Sequence, residues 1–211
     1  MINSAIRKQN TNVNHEDSLT STIFELLLLL PERDFGAIVN SSIRCSGKLP
    51  SEIGKLDSYV FWPNWPPDGT TNGYYVQPDL FLSFSNIDII IEAKKQEGKQ
   101  SSDQWKNEII AYKNKYGPNN KDVVLIALDG NGSLKKETIQ NISIYKTSWE
   151  MLCESFSSYE GIEKTPENER LKKLISDGFL VFGFRSLQPL KACPEYYMTD
   201  ESLASAYILF S

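Results

Sequence analysis

Apolar positions along the chain follow two rhythms, and the places where one gives way to the other predict the order of elements. From Asn14, a candidate N-cap followed by acidic Glu16 and Asp17, Leu19, Ile23, Leu26, Leu27 and Leu30 recur at helical spacing as far as Pro31. Phe35, Ile38, Val39 and Ile43 repeat the rhythm and predict a second helix. Residues 47–75 hold much of the Gly and Pro and two of the four tryptophans, and read as a structured loop around one short strand, Ser58 to Trp62. Val76 to Phe84 and Ile87 to Lys94 read as strands joined at Ser85-Asn86. Asp103 to Tyr116 returns to helical spacing, with Trp105, Ile109, Tyr112 and Tyr116 on one stripe and Gly117-Pro118 as the stop. Val123 to Leu128 predicts a buried strand and Ile142 to Tyr145 a short one. Thr147 and Glu150 are spaced as a capping box for a helix carrying Trp149, Leu152 and Phe156. A last helix is predicted from Pro166, and the apolar run Phe179 to Phe184 reads as a late strand.

This order predicts an α/β protein with a mixed central sheet flanked by helices. Residues 1–13 are polar and aperiodic and read as a loose arm, 14–160 as the core, and 161–211 as a helix and strand extension packed on it. The 211 residues suffice for a real hydrophobic core, and 40 % hydrophobic with 23 % charged residues excludes a disordered or fibrous chain. Cys45, Cys153 and Cys193 are odd in number and far apart, which argues against a disulfide framework or a zinc site. The apolar block Leu26 to Leu30 is too short to span a bilayer and lacks the regions of a signal peptide, so a reduced, cytoplasmic protein is expected. His15 is the single histidine, which removes Ser-His-Asp triads and multi-histidine metal sites and leaves carboxylates and lysines to carry any chemistry. A net charge of −5 disfavours broad nucleic-acid affinity, but leaves room for a local basic face.

The stretch from Gln77 to Lys95 (QPDLFLSFSNIDIIIEAKK) carries the strongest chemical pattern. A two-residue turn at Ser85-Asn86 pairs Phe84 with Ile87 and, stepping outward, sets Asp79 opposite Glu92. Side chains alternate along a strand, so Lys94 shares a face with Glu92, while Leu80, Leu82, Phe84, Ile87, Ile89, Ile91 and Ala93 form an unbroken apolar face on the other side. Directly opposed like charges cost about 0.2–1 kcal/mol even when solvated, so the pair needs a compensating cation. Mg²⁺ fits, because it binds through one or two carboxylates plus waters and phosphate oxygens. The first helix adds a third acid. At ~100° per residue, Leu19, Ile23, Leu27 and Leu30 fall within ~60° of Glu16, on its buried face, whereas Glu25 falls on the far side.

Pro78-Asp79, Glu92-Ala93-Lys94 thirteen residues later, an acid on a preceding helix and the αβββαβ order together resemble the PD-(D/E)xK nuclease superfamily, which has a restriction-endonuclease-like fold. The resemblance spans roughly Asn14 to Phe156. It implies Mg²⁺-dependent hydrolysis of nucleic-acid phosphodiesters, with Mn²⁺ as a substitute ion. Asp79 and Glu92 would be metal ligands, the Ala93 carbonyl a further ligand, Lys94 the residue beside the attacking water, and Glu16 an accessory acid and ligand. Gln104 is a candidate accessory residue. The Q-x-x-x-Y pattern of the recombination-exonuclease subgroup is broken here, because Glu108 stands four residues after Gln104. The implied activity is that of a DNA endonuclease, DNA rather than RNA, in a bacterial defence or mobile-element system. A homodimer or a protein partner would supply specificity.

Between residues 94 and 121 seven lysines face three acids, so Lys95, Lys99 and Lys106 are candidate nucleic-acid contacts on an otherwise acidic chain. The same lysines suit a solvated helix face equally well. Trp62, Trp65, Tyr74 and Tyr75 either stack on bases or pack beneath the proline-rich loop. The alternative to an enzyme is a catalytically silent subunit that keeps the fold and binds nucleic acid or a protein.

Overall fold

The protein is described from a computed structural model over residues 16–95, 98–117 and 121–186. Asn14, His15, the arm at 1–13, Pro118, Cys193 and the C-terminal apolar segment lie outside the described residues. In chain order the elements are α1 (Glu16–Leu27), α2 (Glu32–Ser42), β1 (Leu56–Phe61), β2 (Leu80–Phe84), β3 (Ile87–Ala93), α3 (Ser102–Tyr116), β4 (Asp122–Leu128), β5 (Glu137–Ile139), β6 (Ile142–Thr147), α4 (Trp149–Ser158) and α5 (Pro166–Val181).

The six strands form one mixed sheet in the order β1-β2-β3-β4-β6-β5. β1, β2 and β3 make an antiparallel meander, β3, β4 and β6 run parallel, and β5 closes the far edge antiparallel to β6. A parallel pair needs a crossover, and α3 supplies it between β3 and β4. Both faces of the sheet are covered. On one side α1, α2, α4 and α5 pack on Leu80, Leu82, Ile89, Ile91, Ala93 and Ile126; on the other α3 packs Trp105, Ile109 and Tyr112 on Phe81, Ile90, Leu125 and Ile144. Every residue of β3 is buried, as expected for a central strand between two helical layers. At about 1.5–3 kcal/mol per fully buried aliphatic side chain, the Ile-rich β3 is the best-anchored strand available to hold polar groups in place.

Four local expectations change. The strand predicted from Val76 starts at Leu80, because Pro78 has no N–H for a ladder. Val76 instead pairs with Trp65 in an isolated bridge that folds the β1–β2 loop back on itself. The cap of α4 is Ser148, whose Oγ accepts from the Met151 N–H, while Thr147 is the last residue of β6 and donates to the Ser42 carbonyl. Phe179 to Val181 is helical: Ile175 and Phe179 are buried four residues apart, and Gly178 lets α5 approach Leu26 of α1 so closely that a Cβ would lie 2.9 Å from its Cδ1. β5 was not foreseen. Its sequence is polar, and it is set by a two-residue hairpin turn in which Gln140 and Asn141 both take positive φ, 49° and 68°.

Candidate functional site

The β2–β3 register is the one a turn at Ser85-Asn86 demands: Leu80 with Ile91, Phe81 with Ile90, Leu82 with Ile89 and Ser83 with Asp88. One step beyond β2, Asp79 therefore faces Glu92. Both are buried, 8 % and 1 % exposed. Asp79 is held by its backbone, whose carbonyl accepts from the Trp62 N–H at 3.0 Å, and by its side chain, whose Oδ2 accepts from the Ala93 N–H at 2.8 Å. In a strand the carbonyl of a residue points the same way as its N–H. The register puts Pro78 across from Ala93, and proline offers no amide proton, so the ladder leaves the Ala93 carbonyl at the site without its donor.

Lys94 and Glu16 complete the cluster. The Lys94 ammonium contacts the Glu92 carboxylate directly and lies 3.5 Å from Glu16 Oε1, while Glu16 Oε2 accepts from the Lys95 N–H at 2.7 Å. The start of α1 thus faces the C-terminal end of β3, with Glu16 partly exposed rather than fully covered. The Lys94 backbone is fixed on both sides, since its N–H donates to the Leu128 carbonyl at 2.8 Å and its carbonyl accepts from the Trp149 indole at 2.9 Å. Gln100 braces Glu92 from behind: Nε2 donates to the Glu92 carbonyl at 2.9 Å, and Oε1 accepts from Trp105 Nε1 at 2.8 Å.

Sequence reasoning missed Glu108, which the fold brings to the same place. It projects from α3, is 0 % exposed, and stands beside Glu92 and Gln104, yet no hydrogen bond of ordinary length reaches either of its oxygens from the described residues. Burial first, then the charges of Glu92 and Asp79, push its carboxyl well above the ordinary value. Burial and then Glu92 do the same to Asp79, against the opposing pull of the Ala93 N–H and Lys94. For Lys94 burial disfavours the charge, but Glu92, Asp79 and Glu16 outweigh it and hold the ammonium protonated above its usual range.

Among the described residues no three Asp, Glu, His or Cys side chains converge as a ready metal cage. The donor set nevertheless suits a hard divalent cation. Two facing carboxylates, a third buried carboxyl beside Glu92 and a carbonyl lacking its ladder donor are all oxygen ligands. Mg²⁺ takes one or two carboxylates and keeps several waters, so a closed cage is not what it needs.

The remaining candidates divide. Gln104 lines a cavity of about 270 Å³ together with Asn72, Val76, Gln77, Asn107 and Glu108. Lys95 is half-buried, and Lys99 and Lys106 are exposed. Two other lysines of the basic segment are engaged elsewhere: Lys113 binds Gln140, and Lys121 binds Asp57, Ser83 and Asp88 at the opposite end of β3. The segment is therefore not one phosphate-facing surface. Trp62 and Trp65 pack in the core, whereas Tyr74 and Tyr75 are 92 % and 49 % exposed.

Fold and site together define an α/β protein with a buried carboxylate and lysine cluster at the C-terminal end of a central strand. No family model matches the sequence. The chain is 32 % identical over 130 residues to the uncharacterized protein PM0110 of Pasteurella multocida (strain Pm70), a stretch covering 60 % of this chain and 47 % of that protein. It thus spans about half the length of the curated relative it matches. Among solved structures, the small subunit (R.BspD6I2) of the heterodimeric restriction endonuclease R.BspD6I aligns over 74 % of this chain and 86 % of that one, at 12 % identity and a TM-score of 0.33. No helix among the described residues is long and apolar enough to cross a membrane.

Proposed function

We propose that this protein is a Mg²⁺-dependent nuclease of the PD-(D/E)xK type, built on a restriction-endonuclease-like core. It hydrolyses phosphodiester bonds of DNA rather than RNA, as an endonuclease of a bacterial defence or mobile-element system. The observation that carries the reading is the meeting of Asp79, Glu92 and Lys94 at one strand end, with Glu16 and Glu108 closing on them from two different helices. The antiparallel meander followed by a parallel crossover through α3 is the topology that the sequence motif leads one to expect.

Asp79 and Glu92 would hold the ion, with the Ala93 carbonyl, Glu108 and Glu16 as the nearest additional oxygens. A bound divalent ion lowers the pKa of a coordinated water and neutralises phosphate charge. The residues of the chain do the rest. The Lys94 ammonium, kept charged by its acidic neighbours, attracts the phosphate and orients the water. Glu16 anchors the Lys94-Lys95 turn, and Gln100 fixes the carbonyl of Glu92 so that its side chain is held in place. Replacing Asp79 with Asn, Glu92 with Gln or Lys94 with Ala should abolish Mg²⁺-dependent plasmid cleavage while circular dichroism stays that of the folded protein. Unchanged cleavage would overturn the assignment. The lack of a ready three-ligand metal cage among the described residues favours one second reading, a silent nucleic-acid-binding or partner-binding subunit. A wild-type protein that binds DNA and cuts nothing in Mg²⁺ or Mn²⁺ would select it.

A further inference from the structure

The β1–β2 loop turns back over α3, and it is held there firmly. The Asn107 side chain accepts from the Thr71 N–H at 3.2 Å and donates to Thr71 Oγ1 at 2.7 Å and Asn72 Oδ1 at 3.1 Å; Asn114 donates to the Asp68 carbonyl at 2.7 Å. Trp65 and Val76 exchange backbone hydrogen bonds of 2.9 and 3.1 Å, and the Asn72 side chain donates to the Tyr75 carbonyl at 3.0 Å. A loop fastened in this way nonetheless holds Tyr74 almost wholly in water, and Tyr75 half so. Packing gives no reason for an aromatic ring at that position.

The two tyrosines lie in the chain between Asn72 and Val76, which both line the 270 Å³ cavity that reaches Glu108. Its walls are carboxamides, one valine and Glu108, whose carboxyl is itself buried against Glu92 and Gln104. Carboxamides around a small cleft carry both donors and acceptors, as a base edge does. The volume is ample for one planar heterocycle. Stacking on an aromatic ring takes an open base face, which a paired duplex does not present.

We propose that this cavity receives one unpaired nucleobase of the substrate strand, stacked on Tyr74 of the loop that lines it, so that the protein acts on single-stranded or locally opened nucleic acid. This substrate class rests on the nuclease reading above and refines it. The probe is a single-stranded oligonucleotide carrying one 2-aminopurine, with the duplex of the same sequence as its control, both titrated in EDTA so that cleavage is silent.

Wild-type protein binds the single strand more tightly than the duplex and quenches the 2-aminopurine. Tyr74→Ala, at an exposed position that leaves folding intact, weakens single-strand binding by about tenfold or more, the scale of one lost stacking contact, and leaves duplex binding unchanged. Tyr74→Phe restores the wild-type behaviour because the ring is what stacks. The inference is overturned by equal losses on the two substrates, by no loss on either, or by a wild-type protein that binds no oligonucleotide. Plasmid cleavage in Mg²⁺ is read separately. Cleavage that persists while Tyr74→Ala binds normally removes only the base pocket, and Tyr74-dependent binding without any cleavage removes only the nuclease.

Discussion

Strand β3 carries a buried acid near each end, Asp88 and Glu92, on the same face and about 13 Å apart along the strand. Their surroundings are opposite. Asp88 is met by the Ser83 hydroxyl at 2.7 Å, the Tyr112 hydroxyl at 2.7 Å and the Lys121 ammonium at 3.6 Å, a network in which donors and charge answer the carboxylate. Glu92 has one ammonium, and Asp79 and Glu108 crowd the same space with two further carboxyls, both pushed toward their neutral forms. A buried carboxylate answered by its neighbours belongs to the fold. One left among surplus carboxyls can ionise only at a cost to the fold and marks a place where something positive binds.

Mutation at the two ends should separate these roles. The largest effect falls on Asp79→Asn, which lowers Mg²⁺-dependent cleavage by at least about 10²–10³-fold, the scale of losing one group that stabilises developing charge. Its denaturation midpoint should change little. Asp88→Ala does the reverse, destabilising by roughly 3 kcal/mol in urea titrations because Lys121 and Tyr112 lose their buried partner. Per folded molecule its cleavage rate stays that of the wild type. Gln100→Leu tests whether the brace behind Glu92 matters, with metal affinity and cleavage expected to fall together by about tenfold. A loss of stability without that change in affinity would make Gln100 purely structural.

The smallest effect has the most telling sign. Glu108→Gln should stabilise the metal-free protein at neutral pH by about 1 kcal/mol, because the ionised carboxylate of the unfolded chain must take up a proton to be buried beside Glu92, and a carboxamide need not. The folded-state carboxyl of Glu108 lies well above the ordinary value of 4.5, so its neutral form is the one the fold accepts. The stability of the metal-free wild type should fall as pH rises from the unfolded value through the raised one. The advantage of the variant should therefore grow with pH and vanish below the ordinary carboxylate range. Thermal melts across pH in EDTA measure it, and a variant less stable than the wild type at neutral pH would contradict the electrostatic account.

The pairing at the site was legible because its cause is local. A two-residue turn sets the register, and the register sets Asp79 against Glu92. Glu16 followed from the position of one acid on an apolar helical stripe, and the same test applied to α3 would have found Glu108. It stands three residues after Trp105 and four before Tyr112, on the buried side, yet in the sequence it reads as one charge of a lysine-rich segment and as the residue that breaks the Q-x-x-x-Y pattern. The lysines themselves were not legible in this way. Whether Lys121 faces a phosphate or Asp88 depends on where β4 docks, which is tertiary information. Helical Phe179 to Val181 was misread because a short apolar run has no period of its own, and only the close approach of Gly178 to α1 shows which spacing applies.

The most direct test of the central claim is calorimetric titration of Mg²⁺ and Mn²⁺ into the wild-type protein and Asp79→Asn, with substrate-length single-stranded DNA present. The account predicts a saturable ion-binding event in the wild type that disappears in the variant. A wild type that binds no divalent ion, or a variant that binds it as well as the wild type, would contradict it.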